Sequence, residues 1–169
     1  MSEEQSIIVN EKDEIIGYKD RSEIVSSDIY RVTALWLENN LGEALLVQRA
    51  FTKKNSPGKW GPAVAGTVEK GETYDSNIIK EAQEEIGLVG CEFQKAEKMR
   101  ISEKRNYFLQ WFYAQVDKKI EEFILEDGAF EQIKWFNGEE LKSALEKSPE
   151  NFVPGLRANP KVLRVFLKQ

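Results

Sequence analysis

Three glutamates, Glu81, Glu84 and Glu85, fall on one side of any helix that runs through them, because residues three and four apart are neighbours on a helical surface. The segment that carries them reads GTVEKGETYDSNIIKEAQEEIGL, from Gly66 to Leu88. Ile78, Ala82 and Ile86, joined by Ile79, supply an apolar stripe for the opposite side. Thr73 is placed to cap the helix and Asp75 to meet its dipole in the first turn. Gly66, Gly71 and Gly87 bracket it, so the chain turns sharply at both ends. A plain solvated face is the ordinary reading of such acids. Their mutual repulsion nevertheless gives the helix nothing unless a cation sits among them.

Composition narrows the identity of that cation. The chain has no histidine and a single cysteine, Cys91. A Ser-His-Asp triad, a Cys-His pair, an imidazole zinc site and an internal disulfide are all excluded. A metal here is held by oxygen, which selects a hard ion such as Mg²⁺ or Mn²⁺. Acid–base work falls to Glu, Asp, Lys or Tyr. The formal charge of −5 argues against a general nucleic-acid binder and leaves room for a small phosphorylated ligand. The acidic N-terminus lacks a secretory pattern and no apolar run is long enough to cross a bilayer, so the chain is expected to be cytoplasmic. Its 169 residues suit one domain, 1–169, without repeats or linkers.

Short strands are expected at 7–9 and 14–18, within an N-terminal extension spanning 1–29. Further strands are expected at 30–38, 44–49, 92–101, 107–116 and 133–136. Residues 107–116 read YFLQWFYAQV, apolar on both faces, which places that strand centrally under two covering layers. Residues 53–62 read as a loop. Asn137 followed by Glu140 predicts a capping box. Asn159-Pro160 predicts a final helix over 159–169, with Val162, Leu163, Phe166 and Leu167 as its apolar stripe. The fold class is α/β with a mixed sheet.

The Gly66–Leu88 segment resembles the Nudix box, G-x5-E-x7-R-E-U-x-E-E-x-G-U, with U a bulky aliphatic. Gly66, Glu72, Glu81, Glu84, Glu85, Gly87 and Leu88 fall on it in register. At roughly 7% usage for each residue type, the six Gly and Glu matches arise by chance on the order of once in 10⁵ such chains. Lys80 stands where the box has Arg, and Ala82 where a larger aliphatic is usual. Lys lacks the bidentate fork of Arg, so the network around Glu72 and Glu81 is expected to be looser.

The resemblance implies an α/β/α sandwich with the box as loop–helix–loop. It implies hydrolysis of a diphosphate bond in a nucleoside diphosphate linked to another group, with Mg²⁺ or Mn²⁺. Glu81, Glu84 and Glu85 would hold the ion with the Gly66 carbonyl, while Glu72 and Lys80 brace the box. The general base would come from Glu126 or Glu131, with Glu81 and Glu84 as rivals. Arg49 and Lys59, or Lys53 and Lys54, are candidates for phosphate contacts. Trp60, Tyr107 and Trp111 are candidates for stacking on a flat group. The partner implied is a small-molecule diphosphate, and a homodimer would be unsurprising.

The stretch LLVQRAFTKKNSPGKW is similar to the branch that includes isopentenyl-diphosphate isomerases. Those enzymes use a Cys before the box and histidines at the metal. Here Ala63-Val64-Ala65 precede Gly66 and histidine is absent, which disfavours isomerase chemistry. A catalytically silent ligand-binding module is the third reading, opposed by the retention of every acid of the box.

Overall fold

The structure is a computed structural model that describes residues 4–159. Nine strands form one mixed sheet: β1 (Gln5–Val9), β2 (Ile15–Asp20), β3 (Ile29–Glu38), β4 (Ala44–Arg49), β5 (Trp60–Pro62), β6 (Val64–Thr67), β7 (Gln94–Ser102), β8 (Asn106–Gln115) and β9 (Phe130–Phe136). Helices α1 (Tyr74–Ile86), α2 (Gly138–Lys147) and the short α3 (Pro154–Arg157) complete it.

Strand β3 is the axis. It runs parallel to β8 along its whole length, from Ile29 opposite Asn106 to Glu38 opposite Gln115. Antiparallel partners share its other edge, β1 at one end, β6 over Val32–Leu35 and β4 at the hairpin end. Strand β4 in turn pairs with β5 and β9. Residues 60–67 therefore cross from β4 to β3, and Ala63 at the crossing is fully buried. The alternation of strand side chains sends Leu35, Leu37, Leu45 and Phe112 to one face, where Ile78, Ala82 and Ile86 of α1 cover them. Ala34, Trp36, Leu46 and Trp111 go to the other, under Leu141 and Leu145 of α2 and Phe152 and Leu156 beyond it. This is an α/β layered architecture with β8 covered on both faces, as the doubly apolar run predicts, but lying between β3 and the edge strand β7 rather than at the centre of the sheet.

Several boundaries differ from expectation. Trp60–Pro62 is strand where a loop was expected, and β9 starts at Phe130, three residues early. Both gain hydrogen bonds from β4, a partner distant in sequence. Asn137 does cap α2, its side chain accepting the Glu140 N–H at 2.8 Å. The reciprocal half of the box is missing because the Glu140 carboxylate meets Lys134 instead. The helix expected over 159–169 lies, from Pro160 on, outside the described residues. Among the described residues no helix is long and apolar enough to cross a membrane.

The start of α1 is anchored through Asp13, in the β1–β2 turn with φ of 60°. Its carboxylate accepts from Arg31 Nε at 2.7 Å, Lys98 Nζ at 2.8 Å and the Tyr74 hydroxyl at 2.9 Å. One side chain thus ties the N-terminal hairpin to β3, β7 and α1. Burial alone would raise the Asp13 pKa; these donors outweigh it and hold the carboxyl below its ordinary range.

Candidate active site

Helix α1 begins where the sequence places it. The Thr73 hydroxyl accepts the Ser76 N–H and the Ser76 hydroxyl accepts the Thr73 N–H, a reciprocal cap. The helix ends at Gly87 in the left-handed conformation, closed by bonds to the Ala82 and Gln83 carbonyls. Between these ends α1 packs beside β6, which carries Gly66. A methyl group at Gly66 would collide with the Glu81 carboxylate. Only glycine lets Glu81 lie against the β6 backbone.

Lys80 lies among three carboxylates. Its Nζ is paired with Glu72, 3.3 Å from Glu69 and 3.9 Å from Glu81. Lys80 thus reaches three acids of the box from one nitrogen. A compact ammonium with three rotatable donors can divide itself among acids that do not share a plane. Burial opposes the charge on Lys80, but Glu72 and Glu69 outweigh it and hold it firmly protonated. Glu72 is likewise kept ionised. Burial would raise its pKa, yet Lys80, the Glu69 N–H and Asn77 lower it below the ordinary value.

Asn77 was not among the residues singled out from the sequence. It is fully buried on α1, donating through Nδ2 to Glu72 at 2.8 Å and the Thr67 carbonyl at 3.1 Å, with Glu81 at 3.5 Å. The buried Thr33 hydroxyl of β3 donates to its Oδ1. Asn77 therefore locks Glu72 and Glu81 to the sheet. Its signal in the sequence was the i, i+4 spacing from Asn77 to Glu81 on the helix's inward side.

Glu81 and Glu85 stand in the opposite electrostatic condition. Burial, and then the charges of Glu84, Glu72 and Glu69 against the relief from Lys80, push the Glu81 carboxyl up to about 7. Burial and the neighbouring Glu81 and Glu126 push Glu85 up to about 8, with a 3.2 Å hydrogen bond from the Ala65 N–H and the charge of Arg49 opposing. Glu84 is exposed on the solvent side of α1. Among the described residues no three acids are drawn into a ready-made metal cage. Mg²⁺ does not need one, since it keeps several waters and takes one or two carboxylates along with substrate phosphate. The all-oxygen donor set, crowded and desolvated with too few cations, fits a hard divalent ion.

The raised pKa values have a consequence for stability. Where the folded pKa exceeds the unfolded one, the native chain holds protons the unfolded chain has released. Metal-free protein should therefore lose stability as pH rises from about 5 to about 9, by about 1–3 kcal/mol after solvent screening. Thermal melts across that range check it, and Mg²⁺ should erase most of the slope. A flat or rising metal-free curve would count against the crowding of Glu81 and Glu85.

Of the two acids beyond the box, Glu126 reaches it: its N–H donates to the Glu85 carbonyl at 2.9 Å, and its charge acts on Glu85. Glu131 lies within β9, and its carboxylate accepts the Phe51 N–H at 3.0 Å, anchoring the loop after β4. Arg49 ends β4 half-buried, its Nε donating to the Asn55 carbonyl at 2.9 Å and its charge felt by Glu85. The Lys59 carbonyl accepts the Arg49 N–H, and its side chain is half-buried; Lys53 is half-buried and Lys54 exposed.

The aromatic candidates for stacking are placed elsewhere. Trp111 is fully buried beneath α2, Trp60 packs edge-on against Phe136 with ring centres 5.1 Å apart, and Tyr107 packs against Tyr30. Strand aromatics here fill the core. Cys91 is half-buried beside the α1 layer, and burial raises its thiol pKa.

This arrangement has counterparts. The chain is 33% identical over 161 residues to an uncharacterized Nudix hydrolase of Nostoc sp., covering 86% of this chain and 93% of that protein. It is 29% identical over 90 residues to the isopentenyl-diphosphate Delta-isomerase of Salmonella heidelberg, a match spanning 52% of this chain and 50% of the isomerase. The fold is similar to that of DR0079 from Deinococcus radiodurans, with a TM-score of 0.74 at 22% identity over 85% of this chain and 90% of that one. The family model described as NUDIX domain matches residues 29–156, a span holding β3, the box and α2, and the chain belongs to that family.

Proposed function

We propose that this protein is a Mg²⁺- or Mn²⁺-dependent hydrolase that cleaves a diphosphate bond in a small phosphorylated metabolite, such as a nucleoside diphosphate linked to another group. The observation that carries this is the pair Glu81 and Glu85, crowded and desolvated on a Gly66-bounded loop–helix–loop, with the Arg49 guanidinium alongside. Family members bind small phosphorylated ligands, and the family is typically pyrophosphohydrolytic.

Glu81, Glu84, Glu85 and the Gly66 carbonyl would hold the ion. When bound, it offsets phosphate charge and acidifies the water that attacks phosphorus. Glu126 is the favoured acceptor of that water's proton because its loop is bonded to Glu85, and Glu81 or Glu84 are its rivals. Glu131 is less suited, its carboxylate being occupied by Phe51 N–H. Arg49 would neutralise a substrate phosphate, with Lys59 as a secondary contact. Glu72, Lys80 and Asn77 orient Glu81 and touch no substrate.

If Lys80 acts by bracing Glu72, Lys80→Arg should keep activity equal or raise it, since the planar fork can pair with both oxygens of one carboxylate. Steady-state rates with Mg²⁺ test this, and a loss beyond about tenfold would refute the bracing role. The function itself is tested by coupled phosphate release over nucleotide sugars, ADP-ribose, dinucleoside polyphosphates, nucleoside triphosphates and isoprenoid diphosphates. Divalent-dependent release from at least one supports the hydrolase. Isomerisation of the isoprenoid without phosphate release would favour the isomerase reading, which the buried Ala63 and Val64 before the box and the absence of histidine oppose.

A further inference from the structure

The carbonyls of Glu85 and Ile86 lie in the last turn of α1, where no N–H of the helix can reach them. Both are met by the chain at 123–129, which leads into β9. Glu126 N–H donates to the Glu85 carbonyl at 2.9 Å, and Ile124 N–H donates to the Ile86 carbonyl at 3.1 Å. This stretch is also held at each of its own ends. Phe123 is buried in the layer that α1 covers, its ring centre 6.0 Å from that of Trp135. At the far end the Ala129 carbonyl accepts the Ala50 N–H at 3.0 Å, one residue beyond Arg49, which pairs with Phe130 of β9. Residues 123–129 are thus a strap from Glu85 on the acidic helix to Arg49 at the end of β4.

The strap can lie this close because of what Gly87 lacks. A Cβ on Gly87 would stand 2.8 Å from the Ile124 Cβ and 3.3 Å from the Ile124 carbonyl oxygen. That constraint is separate from the ending of the helix, which needs only a left-handed residue. The φ of Gly87 is 67°, a value that asparagine also adopts at helix ends. Gly90 shows the difference. Its φ is 68°, yet a Cβ there would meet nothing within 4 Å. Backbone geometry therefore admits glycine or asparagine at both positions, and only at Gly87 does close approach insist on glycine.

We propose that Gly87 is a positioning residue: by leaving room for the strap it fixes Glu85 relative to Arg49, and so sets the gap that a diphosphate bridges between the ion and the guanidinium. This rests on the diphosphate reading above. Neither Gly87 nor Ile124 touches substrate. A side chain on Gly87 lifts the strap off the last turn of α1, breaks its bonds to the Glu85 and Ile86 carbonyls, and displaces Ala129 from Ala50 beside Arg49. Every charged group survives this, and so do the ligands of the ion. What changes is their alignment, and misplacement by about 1 Å costs on the order of 10²-fold in rate.

The test compares wild type with Gly87→Asn, Ile124→Gly, the double variant carrying both, and Gly90→Asn. Each is followed by kinetics with Mg²⁺ on a diphosphate that wild type cleaves, by calorimetric binding of Mn²⁺ and by a metal-free melt. Gly87→Asn should lower kcat at least tenfold, with KM and Mn²⁺ affinity within threefold of wild type. The double variant should regain kcat to within threefold, because Ile124→Gly deletes the side-chain atoms that the new Cβ strikes. Ile124→Gly alone and Gly90→Asn should stay within threefold throughout. An unchanged kcat in Gly87→Asn, or a folded double variant as slow as Gly87→Asn, would overturn the role of the strap and leave the diphosphate reading standing. A Gly87→Asn chain that does not fold and is not restored by Ile124→Gly would assign Gly87 to the helix end alone and overturn it too. Wild type that cleaves no diphosphate would overturn the diphosphate reading and this role with it.

Discussion

Glu85→Gln is expected to lower divalent-dependent turnover by at least several hundredfold while leaving the fold intact. The side chain keeps its length, and the amide oxygen can still accept the Ala65 N–H that Glu85 accepts at 3.2 Å. What disappears is one negative charge at the place where Glu81, Glu85 and Glu126 repel one another. Removing it should make the metal-free protein as stable as wild type or more so, because a crowded, desolvated carboxylate is a cost to folding. The cation loses a ligand at the same time. A loss of about 3–4 kcal/mol of transition-state stabilisation corresponds to this rate effect. Two measurements decide it together, phosphate release with Mg²⁺ and a thermal melt without it. Wild-type activity in the variant would sink the metal assignment, and a collapsed melt would show Glu85 to be structural.

Asn77→Ala should produce the largest loss of stability of any change to a polar residue of the box. Alanine strands the Thr67 carbonyl, one oxygen of Glu72 and the Thr33 hydroxyl, all lining a buried or half-buried seam between α1 and the sheet. Leaving several such groups unpaired costs about 2–4 kcal/mol. In a chain of this size that lowers the melting temperature by about 5–15 °C. Asn77→Asp sharpens the test. It keeps an acceptor for Thr33 but sets a new negative charge against Glu72 and Glu81, so its stability should recover as pH falls toward 4. If Asn77→Ala costs less than about 1 kcal/mol, the seam does not hold the acids as described.

How much of this was legible in the sequence varies with the range of the forces involved. Helix α1 was readable to the residue because its determinants are local, a Thr73–Ser76 cap, a 3.6-residue apolar stripe and a terminal glycine. The covering of β8 on both faces followed from its apolarity on both sides, but its place next to the edge strand β7 did not. Strand β5 was not readable, since Trp60–Pro62 is strand only by virtue of β4 alongside. The fate of the aromatics was hidden for the same reason, because whether a tryptophan faces a ligand or the core is decided by which layer covers its strand. Asn77 was overlooked because it is a polar residue on an inward face, and a single sequence does not show that face directly.

The parallel pairing of β3 with β8 also governs the order in which the molecule can be built. Strand β3 is complete at Glu38, but its full-length neighbour does not begin until Asn106. On a ribosome the acidic helix, α1, emerges well before that partner exists. Until then α1 has Leu35 and Leu37 to cover but lacks Phe112, which completes the same apolar layer. Non-local pairing of this kind is slow to form and leaves a half-built sheet exposed meanwhile. The N-terminal hairpin covers only the opposite edge of β3, where β1 bonds at Ile29 and Tyr30, so the edge that waits for β8 stays open. Translation pauses or truncations falling between α1 and β8 should therefore yield aggregation-prone chains, whereas interruptions beyond Leu156, when both faces of the sheet are covered, should not.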